Sequence, residues 1–215
     1  MWGLIGLGAA DLFGGRPTGA RKHLATAVDL ARGLRAPHHE AEALALLGHT
    51  LLLGGEHDAA IARLREALDL VRRTGLPLES LVLAYLADAL DRAGGHGAAL
   101  SSARGAIEVV RRRGSPWLDI SARNVLGTLL CRQGDAGSAL AWHEGTRRRA
   151  ETSRDPYGTS EAHLGPAGAW LRAHDPEAAA QHARKGLSLA CTHGFTLHQA
   201  IRTDLMARSG AHGPD

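Results

Sequence analysis

Cysteine is almost missing from this 215-residue chain: Cys131 and Cys191 are the only two, far apart and in no spaced cluster. That excludes a disulfide framework and the paired-cysteine zinc sites, and it points to a reducing, cytoplasmic setting. Aromatic residues make up 4% of the chain, so a core must be built from its abundant Ala and Leu. Lysine is nearly absent too, with only Lys22 and Lys185 among 25 basic residues, and the net charge of +3 is too small to argue for a polyanionic partner. No stretch reaches the roughly 20 uninterrupted apolar residues of a membrane span. The apolar start, Met1 to Gly15, has no basic residue ahead of it and reads as helix, not as a leader.

Catalytic and metal signatures are lacking as well. Thirteen histidines are scattered, with no two spaced three or four apart on a helix as a ligand pair requires; His38, His39 and Glu42 come nearest. Gly6-Leu7-Gly8 has no strand before it, and neither a nucleophile elbow nor a phosphate loop occurs. The expectation is a chain that is not an enzyme and carries no cofactor and no metal.

What is present is a period. Pro37, Pro77, Pro116 and Pro156 lie 39 or 40 residues apart. In the same rhythm small residues recur at Gly8, Gly48, Ala87, Gly127 and Ala167, and twelve residues later at Ala20, Ala60, Ala99, Ala139 and Ala179. A third row follows at Ala27, Ala67, Ala106, Thr146 and Gly186. Self-similarity at this spacing marks a repeat protein whose units stack on their neighbours, and small side chains let helix axes approach to roughly 8–10 Å.

Each unit reads as a helical hairpin. In the second, Ala43, Leu44, Leu47, Gly48 and Leu51 give one apolar face to a helix over His39 to Leu53. Gly54, Gly55 and Glu56 break it, and a second helix is expected from an N-cap at Asp58, with Arg72 and Arg73 in the last turn, Gly75 ending it and Pro77 preventing continuation. Breaks at Gly14-Gly15, Gly94-Gly95, Gly134-Asp135 and Asp175-Pro176 repeat the layout. The fold expected is all-α: an α-solenoid of about five hairpins plus a C-terminal helix in a right-handed superhelix. A single domain over 1–209 is expected, with units at about 1–37, 38–77, 78–116, 117–156 and 157–195, a final helix over 197–209 and a polar tail over 210–215.

Leu47, Gly48, Leu51, Ala60, Leu64, Ala67 and Pro77 stand at the spacing of the tetratricopeptide repeat, which the chain resembles over nearly its whole length. Leu7, Gly8, Ala20, Leu24, Ala27 and Pro37 follow closely, while the fifth unit has Pro166 and Trp170 where the pattern has Leu and Tyr. Units of about 40 residues, longer than the usual 34, resemble the sensor tails of bacterial signal-transducing transcriptional regulators. The extra residues are expected at the end of each second helix. Glu42, Ala45 and His49 stand where chaperone-binding members carry the Lys and Asn of a carboxylate clamp, so that clamp is missing.

The resemblance implies a concave face lined by the first helices. It assigns to that face Glu42, His49 and Leu53, then Tyr85, Asp88 and Arg92, then Asn124, Thr128, Arg132 and Arg172. Asp88, Arg92, Asn124 and Arg132 could hold an extended peptide by charge-assisted and amide hydrogen bonds, or they could be solvated and paired with one another. Trp2, Ile5, Leu12 and Phe13 form an apolar N-terminal end expected to be covered by upstream domains, a second copy or a partner. Arg32, Arg72 and Arg111 share one register, but arginines at helix C-termini oppose the macrodipole, so nucleic acid is not the expected partner. The functional expectation is a noncatalytic protein- or peptide-binding module, the sensor or interaction part of a transcriptional regulator or a relative of one. The alternatives are a freestanding scaffold or adaptor and an unusual enzyme using the solenoid as a pocket.

Overall fold

The computed structural model describes residues 1–114, 116–153 and 156–194. Among these residues there are ten α-helices and no strand, arranged as five hairpins. The first three are α1 (Trp2–Phe13) with α2 (Pro17–Gly33), α3 (Pro37–Leu53) with α4 (His57–Thr74), and α5 (Glu79–Arg92) with α6 (His96–Arg113). The last two are α7 (Pro116–Arg132) with α8 (Ala136–Ser153) and α9 (Pro156–Arg172) with α10 (Pro176–His193). The all-α helical repeat read from the period is therefore the fold. The chain divides into two compact units, with the break after Gly114. The helix expected over 197–209 and the tail over 210–215 lie outside the described residues. No described helix is long and apolar enough to cross a membrane.

The helix boundaries correct the reading of the prolines. Pro37, Pro116 and Pro156 do not close a hairpin; each is the first residue of the next one. The preset φ and missing N–H of proline cost nothing at that position, where the N–H has no intrahelical acceptor. Only Pro77 lies in a turn, two residues before α5. Part of the extra length thus falls at the start of the first helices. Asp58 is likewise not a cap: α4 is preceded by Glu56, no side chain caps it, and Asp58 sits in its first turn, where a carboxylate favours the helix dipole. A genuine side-chain cap occurs at α10, where Asp175 accepts from the Ala178 N–H at 2.9 Å.

The turns keep the period more strictly than the helices do. Within the hairpins, Gly15, Gly55, Gly94, Gly134 and His174 all have positive φ; between hairpins, Arg35, Gly75, Gly114 and Gly194 do. Glycine pays no steric penalty there, whereas Arg35 (φ 50) and His174 (φ 61) do. Arg35→Gly and His174→Gly are each expected to stabilise by about 0.5–1 kcal/mol, readable as a raised denaturant midpoint; a lowered midpoint would show that these side chains matter more than their backbones.

The small-residue rows do what their spacing suggested. Ala20, Ala60, Ala99 and Ala139 are wholly buried, as are Ala27, Ala67, Ala106 and Thr146. The row at Gly8 and Gly48 is tighter still: a Cβ on Gly8 would lie 2.5 Å from Cγ of Leu24, and one on Gly48 would lie 2.6 Å from Cγ of Leu64. Each first helix therefore rests directly on a side chain of its own second helix. In the fourth hairpin that side chain is His143, whose ring would lie 2.7 Å from a Cβ on Gly127 and 2.5 Å from one on Gly165 of α9.

Candidate functional site

In the first unit, α1, α3 and α5 neighbour one another and carry most of the residues assigned to a binding face. His49 on α3 stacks on Tyr85 of α5, ring centroids 4.0 Å apart and 17° from parallel. Its Nδ1 is buried without a hydrogen-bond partner. Burial pushes its pKa down to about 4, against the opposing pull of the Asp88 carboxylate and with a smaller lowering from Arg92. The imidazole is thus neutral at pH 7, an aromatic surface and not a charge.

Arg92, one turn after Asp88, gives its Nε to both carboxylate oxygens at 3.2 Å. Asp88 and Arg92 are therefore paired with each other. The bond uses only Nε, and the exposed guanidinium keeps its two terminal amino groups for other acceptors. Leu53, at the matching register of α3, is 41% exposed, and Phe13 at the same register of α1 is half-buried. Glu42, half-buried, lies two turns before His49 on α3. The face offers one guanidinium beside an apolar row, with the His49–Tyr85 stack next to it.

The N-terminal residues divide. Trp2 is 70% exposed and meets the ring of His39 edge-on at 4.5 Å, and Phe13 is half-buried. Ile5 and Leu12 are core residues, 3% and 2% exposed, and so form no open interface. Leu7 does: it is 54% exposed.

In the second unit Thr128 and Arg132 are half-buried and Arg172 is exposed. Asn124 corrects the sequence reading. It is 4% exposed, and neither its amide nitrogen nor its oxygen has a partner, so it does not present an open amide to a peptide. The same unit holds a histidine cluster that the search for ligand pairs missed, because its members come from three helices. His163 of α9 faces His182 of α10 at 3.5 Å between Nδ1 atoms, and His143 of α8 is fully buried with both ring nitrogens unpartnered. Burial and, next, the charge of His182 push His143 down to about 4; burial does the same to His163, helped by His182, Lys185 and Arg147. One signal could have found His143: it stands sixteen residues after Gly127, where Leu24 and Leu64 stand after Gly8 and Gly48.

No group of three or more His, Cys, Asp or Glu among the described residues could hold a metal ion. The aligned arginines are neutralised in place: Arg32 pairs with Glu40 at 2.8 Å and with Glu66, Arg72 with Glu79 at 3.0 Å, and Arg111 with Glu108 at 2.8 Å. A ridge of paired guanidiniums has little left for phosphates.

The tetratricopeptide repeat family model matches residues 1–73. No curated protein matches the sequence. Among solved structures, a Rap protein complexed with competence and sporulation factor is similar at TM-score 0.69 and 11% identity, over 96% of this chain and 63% of that one. A signal-transduction ATPase with numerous domains from Pyrococcus horikoshii, which has a tetratricopeptide repeat sensor, is similar at TM-score 0.63 and 16% identity, over 99% of this chain and 33% of that one. A Podosopora anserina putative kinesin light chain with nearly identical repeats gives TM-score 0.61 at 13% identity, over 89% and 95%. This chain thus spans less than two thirds of the Rap protein and a third of the ATPase. It carries the tetratricopeptide repeat, by family match over residues 1–73 and by fold in the hairpins beyond them.

Proposed function

We propose that the chain is a noncatalytic binding module that holds a protein or peptide segment on the face of α1, α3 and α5. Arg92 takes a carboxylate of the ligand through its free amino groups, and the apolar side chain next to that carboxylate lies on Leu53 and Phe13. The observation that carries this is Arg92 itself: an exposed guanidinium already oriented by Asp88, with a 41% exposed leucine at the same register of the next helix. Preorientation lowers the entropy lost when the ligand binds. The Rap structure, solved with a competence and sporulation factor, supports a peptide-sized ligand for this fold.

A random peptide library displayed on phage and selected on the full chain is expected to enrich an acidic residue beside a bulky apolar one. Arg92→Ala should weaken the selected peptides by about 10- to 100-fold, the worth of a charge-assisted hydrogen bond, with helicity and melting unchanged. Enrichment that neither Arg92→Ala nor Leu53→Glu disturbs would move the site elsewhere.

The module serves as the sensor or interaction part of a larger signalling protein, such as a transcriptional regulator, in preference to a freestanding adaptor. The ATPase with a repeat sensor, a third of whose length this chain covers, supports that assignment. A denaturing gel of source cells probed for this chain should show a band well above 22.6 kDa; a band at that mass favours the adaptor.

A further inference from the structure

The five hairpins permit an internal comparison of one helix face. On α3 the residues Ala43, Leu47 and Thr50 are buried, on α5 Val82, Leu86 and Ala89 are buried, and on α9 Ala162, Pro166 and Ala169 are buried. In each case the second helix of the preceding hairpin packs there: α2 on α3, α4 on α5, α8 on α9. The same register on α1 is Gly3, Leu7 and Ala10, and all three are exposed. Leu30 of α2 is also exposed, where its counterparts Leu70 and Val109 are buried. A Cβ on Gly3 or Gly6 would meet nothing within 4 Å.

We propose that this outer face of the first hairpin is a docking surface for a helix of a partner, seated in the register in which α2 seats on α3. The occupant is an amphipathic helix of the chemistry shared by α2 and α4: alanines at the point of closest approach, flanked by Leu, Ile or Val. The argument is continuity. The interface is already made three times within this chain by helices of that type, and the α1 face differs only in smaller residues, Gly3 for Ala43 and Ala10 for Thr50, that admit a backbone at least as closely. Leu7 is the anchor, because its counterparts Leu47 and Leu86 are buried. This surface is separate from the Arg92 face, and either could fail without the other.

The test places such a helix on the face of the full chain. A second copy of residues 1–40 is added ahead of Met1, so that Met1 follows the copied Glu40 as Ala41 does in the repeat. Hydrogen exchange of the original α1 amides is expected to slow by about tenfold or more, and the melting temperature to rise by several degrees. Leu7→Glu in the original α1 should cancel both gains while leaving the unextended chain's melting temperature where it was. Unchanged exchange of α1 in the extended chain overturns the proposal. So does a dimer of the unextended chain, seen in sedimentation at micromolar concentration and dissolved by Leu7→Glu, because the occupant is then a second copy.

Discussion

Lowering the pH from about 7 to about 4 is expected to remove about 3 kcal/mol of folding stability through His143 alone. Its pKa is held near 4 in the folded chain, against 6.5 for a free imidazole. The unfolded state binds the proton more readily between these values, so the contribution is fully present above about pH 6.5 and declines as the pH falls toward about 4. The groups around the cluster set this sign. Arg147 of α8, with Lys185 and His182 of α10, disfavours further positive charge, while Glu144 and Glu151 of α8 oppose it more weakly. Arg147 bonds Glu144 at 2.7 Å, so that carboxylate is largely occupied. His143→Leu separates this effect from those of His49 and His163, which lie near 4 as well. The variant restores the residue that packs on Gly8 and Gly48 in the first two hairpins and deletes two unpartnered buried nitrogens. It is expected to be about 1–2 kcal/mol more stable at neutral pH and to lose stability less steeply in acid. Urea denaturation of both proteins near pH 7.5 and pH 5 provides the comparison; equal pH slopes would sink it.

The case of His143 shows how far the sequence could be read. Spacing exposed the hairpins because a stacked repeat imposes one backbone geometry on every unit, and small residues must return wherever axes approach. The Gly-rich breaks were legible for the same reason, since positive φ recurs at Gly15, Gly55, Gly94 and Gly134. Proline was ambiguous: it both ends one helix and begins another, and only the backbone shows that Pro37 opens α3. Face assignments carried from the family were less secure. Ile5 and Leu12 occupy positions assigned to the concave face and are nonetheless core, because those positions sit between adjacent first helices. Asn124 is hidden in the same way, at the register of Ala45 and Ala84. The histidine cluster was illegible as a pattern, because His143, His163 and His182 meet through tertiary packing. Departures from the repeat are visible in one sequence, but what surrounds them is not.

Gly48→Ala and Leu64→Ala are expected to be costly separately and much less so together. A Cβ at residue 48 would stand 2.6 Å from Cγ and 2.8 Å from Cδ2 of Leu64, with the Ala60 carbonyl oxygen at 3.4 Å behind. The crowded atom is the branch point of a fully buried leucine, so either α3 or the leucine must move, at about 1–3 kcal/mol. Leu64→Ala removes a large buried side chain beneath a glycine and leaves a cavity, at about 2–5 kcal/mol. The third hairpin shows the remedy: Ala87 and Ala103 stand at these two positions, both wholly buried. Glycine meets leucine in the first two hairpins and histidine in the fourth, while alanine meets alanine in the third and, at Ala167 and Ala183, in the fifth. The chain thus conserves the combined volume of the pair and not either residue. In the double variant the new methyl group fills part of the space left by the leucine, so its cost should fall below the sum of the single costs by about 1–3 kcal/mol. Denaturant unfolding of the four proteins measures this coupling. Additivity within about 0.5 kcal/mol would mean that the two helices shift apart freely, and that the glycine row does not set their spacing.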